Sequence, residues 1–480
     1  MLYFLLVQCS SVGSLIYRDS NQVVVGCTTD FSGEVLIPRI VTEIYSYNYD
    51  SYAFMNCKTQ ITSLKFEENS EISKISFASF FRTSLESVNF SSCTKLTKLN
   101  TGLFQLCYNL KSVILPPNVL IIEQLCFAGN KNLTSIQIPD SVVNISMGAF
   151  SGCSLTAINI SLNSSLQKLD GNCFDWNKIN SFYITKNLKD FNPLALGDCP
   201  IDNITVDPEN LYFRSDFKSV YNGTNNSTLL YVIPTFSGDY IVPNFITSIF
   251  KFCFYKCEEI TSIQLNNKIT SISIRAFHSC SSIRSFKIPK NVTKIEDFAF
   301  GSCKSLTNIL MPENLLMIGD YVFYQCISLQ FITIPGKVTS IGFRAFQNCT
   351  NLKTIAFLNN IISFNRDVFI DITNPMEIYI PYNFSVISYQ TDKLFPYKSH
   401  LYITSDTLLS DKCKNIFGKK SVYIHMGRSA KFAGETKEVI DYIAIEIIYQ
   451  QTKHECVYEK TNSLYLAGTL VCINGVKYNS

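Results

Sequence analysis

Val292-Thr293-Lys294-Ile295-Glu296-Asp297-Phe298-Ala299-Phe300-Gly301-Ser302-Cys303-Lys304-Ser305-Leu306-Thr307-Asn308-Ile309-Leu310-Met311-Pro312 is the stretch on which the fold is decided. Its Phe300 belongs to a series, Phe254, Phe277, Phe300, Phe323, Phe346 and Phe369, with 23 residues between members. Three residues after the first five stand Cys257, Cys280, Cys303, Cys326 and Cys349, and Ile372 takes that place in the sixth. Five residues before them stand Ile249, Ile272, Ile295, Ile318 and Ile341, then Phe364. A fixed period of this size is the mark of a solenoid.

The end of each copy alternates. In Ile283-Arg284-Ser285-Phe286-Lys287-Ile288-Pro289, Phe286 and Ile288 point one way and Ser285 and Lys287 the other. Proline closes the strand, because it has no N–H for the ladder. The Phe-x-x-Cys segment is too short for an ordinary helix and is read as a helical turn that folds the chain back. One such turn cannot bury its own apolar edge. Stacked turns, with strands ~4.8 Å apart, can. About seven apolar side chains per turn, at ~1.5–3 kcal/mol each, offset the cost of ordering the backbone.

Residues such as Val338-Thr339-Ser340-Ile341-Gly342-Phe343-Arg344-Ala345-Phe346-Gln347-Asn348-Cys349 resemble the BspA-type leucine-rich repeats of bacterial and protozoan surface antigens. The resemblance covers most of residues 17–404. It implies a surface or secreted adhesion and binding protein, and it implies no catalytic residues. The expected fold is α/β in class: a strand-rich leucine-rich repeat solenoid with a parallel sheet and short helical turns, plus a small β-rich C-terminal segment.

The array is in two blocks. Phe31-Ser32-Gly33-Glu34-Val35-Leu36-Ile37-Pro38 recurs as Phe236-Ser237-Gly238-Asp239-Tyr240-Ile241-Val242-Pro243, at an offset of 205. Each block thus opens with the same irregular module. The second copy predicts a hairpin over Val220–Tyr231 with Asn222-Gly223 near its tip. The boundaries are 1–14, a candidate signal peptide; 15–206, the first block; 207–245, a β-insert; 246–404, the second block; and 405–480, a non-repeat segment or cap. Met1-Leu2-Tyr3-Phe4-Leu5-Leu6-Val7 is apolar enough for a leader but lacks the usual positive start, and a first strand is the other reading. Within 405–480 strands are expected over Ser421–Met426, Val439–Tyr449 and Leu464–Tyr478, the last turning at Asn474-Gly475.

Hydrophobic residues make up 46% of the chain and charged residues 16%, which supports a long continuous core and argues against disorder. A net charge of +3 gives no reason to expect nucleic acid as a partner. No run of about 18–20 apolar residues is present, so no transmembrane helix is expected. Of the 18 cysteines, nine occupy the Phe+3 position or its equivalent, and Cys126, Cys173 and Cys253 stand just before the phenylalanine. They read as small buried hydrophobes. Free thiols are favoured over a disulfide framework, because a bridge needs side chains that face each other.

Catalytic motifs are missing: no Gly-rich phosphate loop, no His-Glu-x-x-His and no Gly-x-Ser-x-Gly occurs. His278, close to Cys280, invites a Cys–His nucleophile pair. Gly301, Tyr324 and Gln347 at the equivalent positions favour a plain turn residue instead. In the tail, His454, Cys413, Cys456 and Cys472 fit no standard zinc spacing. No cofactor is expected.

The outward strand positions form two rows. One is small and polar, with Ser112, Ser135, Ala157 and Ser181 among its members. The other varies, and supplies the candidate anchors Ile114, Tyr183, Lys287, Leu310 and Tyr379. A plain solvated sheet face is the bland alternative. Asn-x-Ser/Thr sequons include Asn132, Asn203, Asn222, Asn291 and Asn383, glycosylation candidates if the chain is secreted. The expected function is a non-enzymatic protein-binding, adhesion-type surface antigen, cell-surface or secreted. Its partner would be a protein, with host or extracellular matrix proteins in view. The alternatives are a cytoplasmic leucine-rich repeat scaffold, and an enzyme or metal-binding activity in 405–480.

Overall fold

A computed structural model describes residues 14–403, apart from 49–50, 224–226, 359–360, 381–384, 389–394 and 397–398. It also describes short strands at Val7–Gln8, Val422–Met426, Lys431–Phe432, Glu435–Thr436, Val457–Glu459, Ser463–Leu466 and Thr469–Val471. Most of the candidate leader, Val439–Tyr449, Asn474-Gly475 and the four tail cysteine and histidine residues named above lie outside the described residues. So does Asn383.

The chain divides into two units, Met1–Asn225 and Asn226–Ser480, and the division falls inside the expected insert. Each unit stacks the same three-sided turn. The first side is a strand of three to six residues. In the first unit Gly33–Ile37, Ile61–Phe66, Ser87–Asn89 and Ser112–Ile114 pair in parallel, each with the next turn. In the second, Phe331–Ile334, Thr354–Phe357, Glu377–Ile380 and Ser399–Ile403 do the same. The alternation seen in sequence sets the faces: Phe286 is buried, while Ser285 and Lys287 on either side of it are exposed. The ladder does not stop at 404. Val422–Met426 pairs in parallel with Ser399–Ile403, Ser399 opposite Val422, so the period of 23 persists for one more turn.

The second side is a two-residue strand built on the aliphatic residue five before each phenylalanine. Ser271–Ile272, Lys294–Ile295, Met317–Ile318 and Ser340–Ile341 form one parallel ladder, and Lys98–Leu99 through Asp190–Phe191 form another. The phenylalanines fill the space between the sides. Their rings stack in file, 5.3 Å apart for Phe277 and Phe300 and 5.1 Å for Phe127 and Phe150. That spacing follows from the ~4.8 Å rise per strand.

The third side corrects the expected helical turn. Two residues before and two after each phenylalanine from Phe80 to Phe174 and from Phe254 to Phe369 the backbone is left-handed, as at Phe298 (φ 56°) and Ser302 (φ 59°). A helix cannot form through such alternation, because each left-handed residue departs from the right-handed repeat. Alternate amides bond instead within the turn and to the next one. Gly301 N–H and Cys303 N–H donate three residues back, to Phe298 O and Phe300 O. Phe298, Phe300 and Ser302 N–H donate forward to the carbonyls of Asp320, Val322 and Tyr324 at 2.9, 2.9 and 2.6 Å. Each left-handed residue costs about 1–2 kcal/mol, so the two in a turn cost about 2–4 kcal/mol, which the burial of its phenylalanine together with the flanking apolar side chains, at ~1.5–3 kcal/mol each, is large enough to offset. Among the described residues the only helix is the single 3₁₀ turn Pro193–Leu196, capped by the Asn192 side chain. The architecture is a β-solenoid, not an α/β one.

The cysteines at Phe+3 are more than small hydrophobes. Cys280, Cys303, Cys326 and Cys349 each donate a thiol hydrogen bond to the carbonyl of the phenylalanine 26 residues back, at 3.2, 3.2, 3.1 and 3.0 Å. Where the position holds Asn177, its amide donates to the matching Phe150 carbonyl at 2.9 Å. Burial pushes the thiols up, to about 12 for Cys153, Cys199 and Cys303 and about 11 for Cys107, so they stay protonated and unreactive.

One pair departs from the expected free thiols. Cys27 and Cys57 form a disulfide, with Cα atoms 6.3 Å apart. Cys27 ends the strand Val23–Cys27 of the opening module, which pairs antiparallel with Ser14–Arg18 and in parallel with Glu43–Ile44. In the second unit Thr228–Val232 pairs in parallel with Ser248–Ile249, at the same offset of 205. There Val232 stands in place of Cys27, and Cys257 remains a free, buried thiol. In the insert, Ser219–Asn222 runs antiparallel to Phe213–Ser215.

Candidate binding surface

The longer strands place their outward side chains in rows, because successive copies repeat the same strand and paired neighbours run in parallel. In the first unit Ser135 lies beside Ala157 and Gln137 beside Asn159. Ser181 lies beside Asn203, and Tyr183 beside Thr205. In the second unit Asp239 lies beside Ser262, and Ile241 beside Gln264. Farther along, Ser285 lies beside Asn308 and Lys287 beside Leu310.

The candidate anchors differ in exposure. Ile114 is 52% exposed and Lys287 is exposed. Leu310 is half-buried. Tyr183 is half-buried, and its hydroxyl donates to Asp207 Oδ2 at 2.9 Å, which fixes the ring against the sheet. Tyr379 is only 4% exposed, with its row neighbour Ala356 also at 4%. Tyr379 is therefore not an exposed anchor: the rows are open or half-open in the second unit from Asp239 to Thr333, while Thr354, Ala356 and Tyr379 are buried. The sequence reading missed Ile241, 69% exposed at the start of that open stretch. Its signal was available, since it stands in the variable row at the offset of 205 from Leu36.

A second feature was also missed. Side chains on the turn side of the second unit form a partly exposed ridge. The guanidinium of Arg275 sits 4.6 Å over Phe298, Phe298 stacks on Tyr321 at 4.5 Å, and Tyr321 meets Phe343 edge-on at 5.4 Å. Arg344 lies 4.7 Å over Phe343. His278 belongs to this ridge. Its ring is 5.6 Å from Tyr255, and its Nδ1 is 2.9 Å from the Ser279 hydroxyl. Burial, with Arg275 and Lys256 nearby, lowers its pKa to about 4. The Cys280 thiol turns inward to Phe254 O, so the two do not form a nucleophile pair. Among the described residues no cluster of His, Cys, Asp and Glu is placed to hold a metal ion, and no helix is long and apolar enough to cross a membrane.

Residues 31–156, 97–219, 239–349 and 270–402 match the BspA type leucine rich repeat region, in overlapping stretches that span most of the chain. The chain belongs to the BspA-type leucine-rich repeat family. Solved structures of similar fold include a leucine rich cell surface protein from Faecalibacterium prausnitzii. It is 19% identical with a TM-score of 0.54, over 78% of this chain and 94% of that one. The pneumococcal vaccine antigen PcpA is 17% identical with a TM-score of 0.51, over 88% and 98%. A leucine-rich repeat protein from Eubacterium ventriosum is 15% identical with a TM-score of 0.50, over 79% and 89%. At these identities the likeness is one of fold. No curated protein sequence matches this BspA-type chain.

Proposed function

We propose that this chain is a non-enzymatic, surface-exposed or secreted repeat protein that binds a partner protein through the open strand face of its second unit. The observation that carries this reading is the run of open outward strand positions from Asp239 to Thr333. Exposed Ile241 and Lys287 and half-buried Leu310 stand there beside a shelf that includes the small residues Ser262 and Ser285. Small residues let a partner backbone approach closely, and the exposed apolar and basic side chains supply anchors. The Cys27–Cys57 disulfide supports an oxidising compartment, where such bonds persist. The names of two structural neighbours, a cell surface protein and a vaccine antigen, point the same way.

The test is retention of the full chain on a coat of decellularised extracellular matrix, compared with Ile241→Arg and Lys287→Glu. A central anchor is worth at least about 2 kcal/mol, or roughly thirty-fold in affinity. Unchanged retention of both variants would remove the strand face from the proposal. Surface biotinylation of intact source cells tests the location: failure to label the chain would refute a surface position.

A further inference from the structure

We infer that the two units are divided by glycosylation: the strand face of the first unit carries N-linked sugar at Asn159 and Asn203, and the described strand face of the second unit carries none. The inference rests on the secreted reading above, and it deepens it by saying which face is left bare for a partner.

The argument starts from where the sequons land. Asn159-Ile160-Ser161 and Asn203-Ile204-Thr205 are both on the longer strands. Both asparagines are exposed, and neither side-chain amide makes a hydrogen bond. Asn132 and Asn163, in loops of the same unit, are exposed and equally unengaged. The described sequons of the second unit are different. The Asn291 amide donates to the Asn267 carbonyl at 2.7 Å, and Asn314 on the next turn donates likewise to Lys290 O. Asn348 is half-buried with a left-handed backbone, φ 59°. No sequon falls on any strand between Gly238 and Phe357.

The surroundings have room for sugar. Exposed Ala157 and Gln137 flank Asn159, and exposed Ser181 lies beside Asn203. The two asparagines stand two turns apart, roughly 10 Å at ~4.8 Å per turn. Tyr183 lies on the turn between them, and Ile114 lies two turns before Asn159. An N-linked glycan is bulky. Two of them at this spacing cover Tyr183 and crowd Ile114, which takes those anchors out of protein contact and leaves Ile241, Lys287 and Leu310.

The chemistry needs a co-reactant, an oligosaccharide linked through diphosphate to a membrane lipid, and a transferase that acts on the chain before it folds. The asparagine Nδ2 forms a bond to C1 of the first sugar. The C1–O bond to diphosphate breaks, the lipid diphosphate leaves with the electron pair, and the amide gives up one proton. The fold's part is to leave that nitrogen unburied and unbonded afterwards.

The experiment is site mapping on native protein from source cells. N-glycans are released enzymatically in ¹⁸O-water, so that each occupied asparagine becomes an ¹⁸O-labelled aspartate, and peptides are read by mass spectrometry. Label at Asn159 and Asn203, with the strands from Gly238 to Phe357 unlabelled, is expected. Asn159 and Asn203 without label overturns the inference. So does a glycan found on those second-unit strands. The double variant Asn159→Gln, Asn203→Gln in the same cells is expected to run faster by two glycan steps; unchanged mobility also overturns it. Failure here is separable from failure of the binding proposal. Bare Asn159 and Asn203 with Ile241→Arg still losing matrix retention sinks only the glycan inference. Occupied asparagines with Ile241→Arg inert sinks only the proposed face.

Discussion

Replacing Cys303 distinguishes a thiol that fills space from one that donates a hydrogen bond. Cys303 is 1% exposed, and its Sγ is 3.2 Å from the Phe277 carbonyl, which also accepts the Cys280 amide at 3.3 Å. Cys303→Ala deletes the donor, leaves one lone pair of a buried carbonyl unmet and opens a space the size of one sulfur. The hydrogen bond contributes about 1 kcal/mol and the cavity a similar amount, so Ala should cost about 2 kcal/mol. Cys303→Ser keeps a donor on nearly the same stem and should cost about half of that. If the thiol were only an apolar filler the order would reverse, because burying an unmatched hydroxyl costs ~1–3 kcal/mol. A repeat array does not unfold as one two-state unit, so the assay is native-state hydrogen exchange. The amides of Phe277, Phe300 and Phe323 report on the turn and its neighbours. A Ser variant that is looser than the Ala variant at these positions refutes the donor role.

Phe300→Ala should cost roughly 3–5 kcal/mol through the cavity it leaves between Phe277 and Phe323. Exchange should quicken in that turn and its neighbours only, and uniform loosening along the unit would contradict this. His278 is held near pKa 4 in the fold against 6.5 unfolded, so the unfolded chain binds more protons between those values and stability falls as pH drops through that window. The full shift corresponds to about 3 kcal/mol, and the partial exposure of the ring reduces it to roughly half. His278→Gln should flatten the local exchange profile between pH 6.5 and 4. Removing the bridge with Cys27→Ser and Cys57→Ser frees a 30-residue loop and should loosen the opening module by about 3–4 kcal/mol. Exchange around Phe127 and Phe150 should not change.

Much of this solenoid is written in one copy of the repeat, but not all of it. Ser285, Phe286 and Lys287 announce their faces because a strand has a period of two, whatever lies beside it. The Ile295 flank and the Phe300 file follow from spacing alone. The turn side was misread for a physical reason. Asp297-Phe298-Ala299-Phe300 contains nothing that marks left-handed backbone, and Phe298 adopts it because its amide finds Asp320 of the next turn. That partner is 22 residues away and invisible in a single copy. The thiol donors had a quieter signal: Thr83 and Asn177, both able to donate, stand where other copies have cysteine. Cys27 lies off the period, so the periodic argument for free thiols never applied to it. On the binding face, the pattern located the rows but not their exposure. Tyr379 and Lys287 hold the same position in their copies, yet one is buried and the other open, because burial is set by what packs over the strand and not by the strand's period.

The left-handed turns also polarise their own side of the stack. In the turn 275–280, the amides of Arg275, Phe277 and Ser279 all lean forward, to the carbonyls of Asp297, Ala299 and Gly301. The same orientation recurs at Phe298, Phe300 and Ser302. Parallel strands alternate donors and acceptors along each edge and nearly cancel. This side does not cancel: three peptide dipoles per turn, each ~3.5 D, add head to tail. The turn side thus has a local electrical sense along the stack, with its donors facing forward, while amides on the flanking sides lean the other way, as those of Thr293, Glu296 and Thr307 do toward Thr270, Ile272 and Arg284.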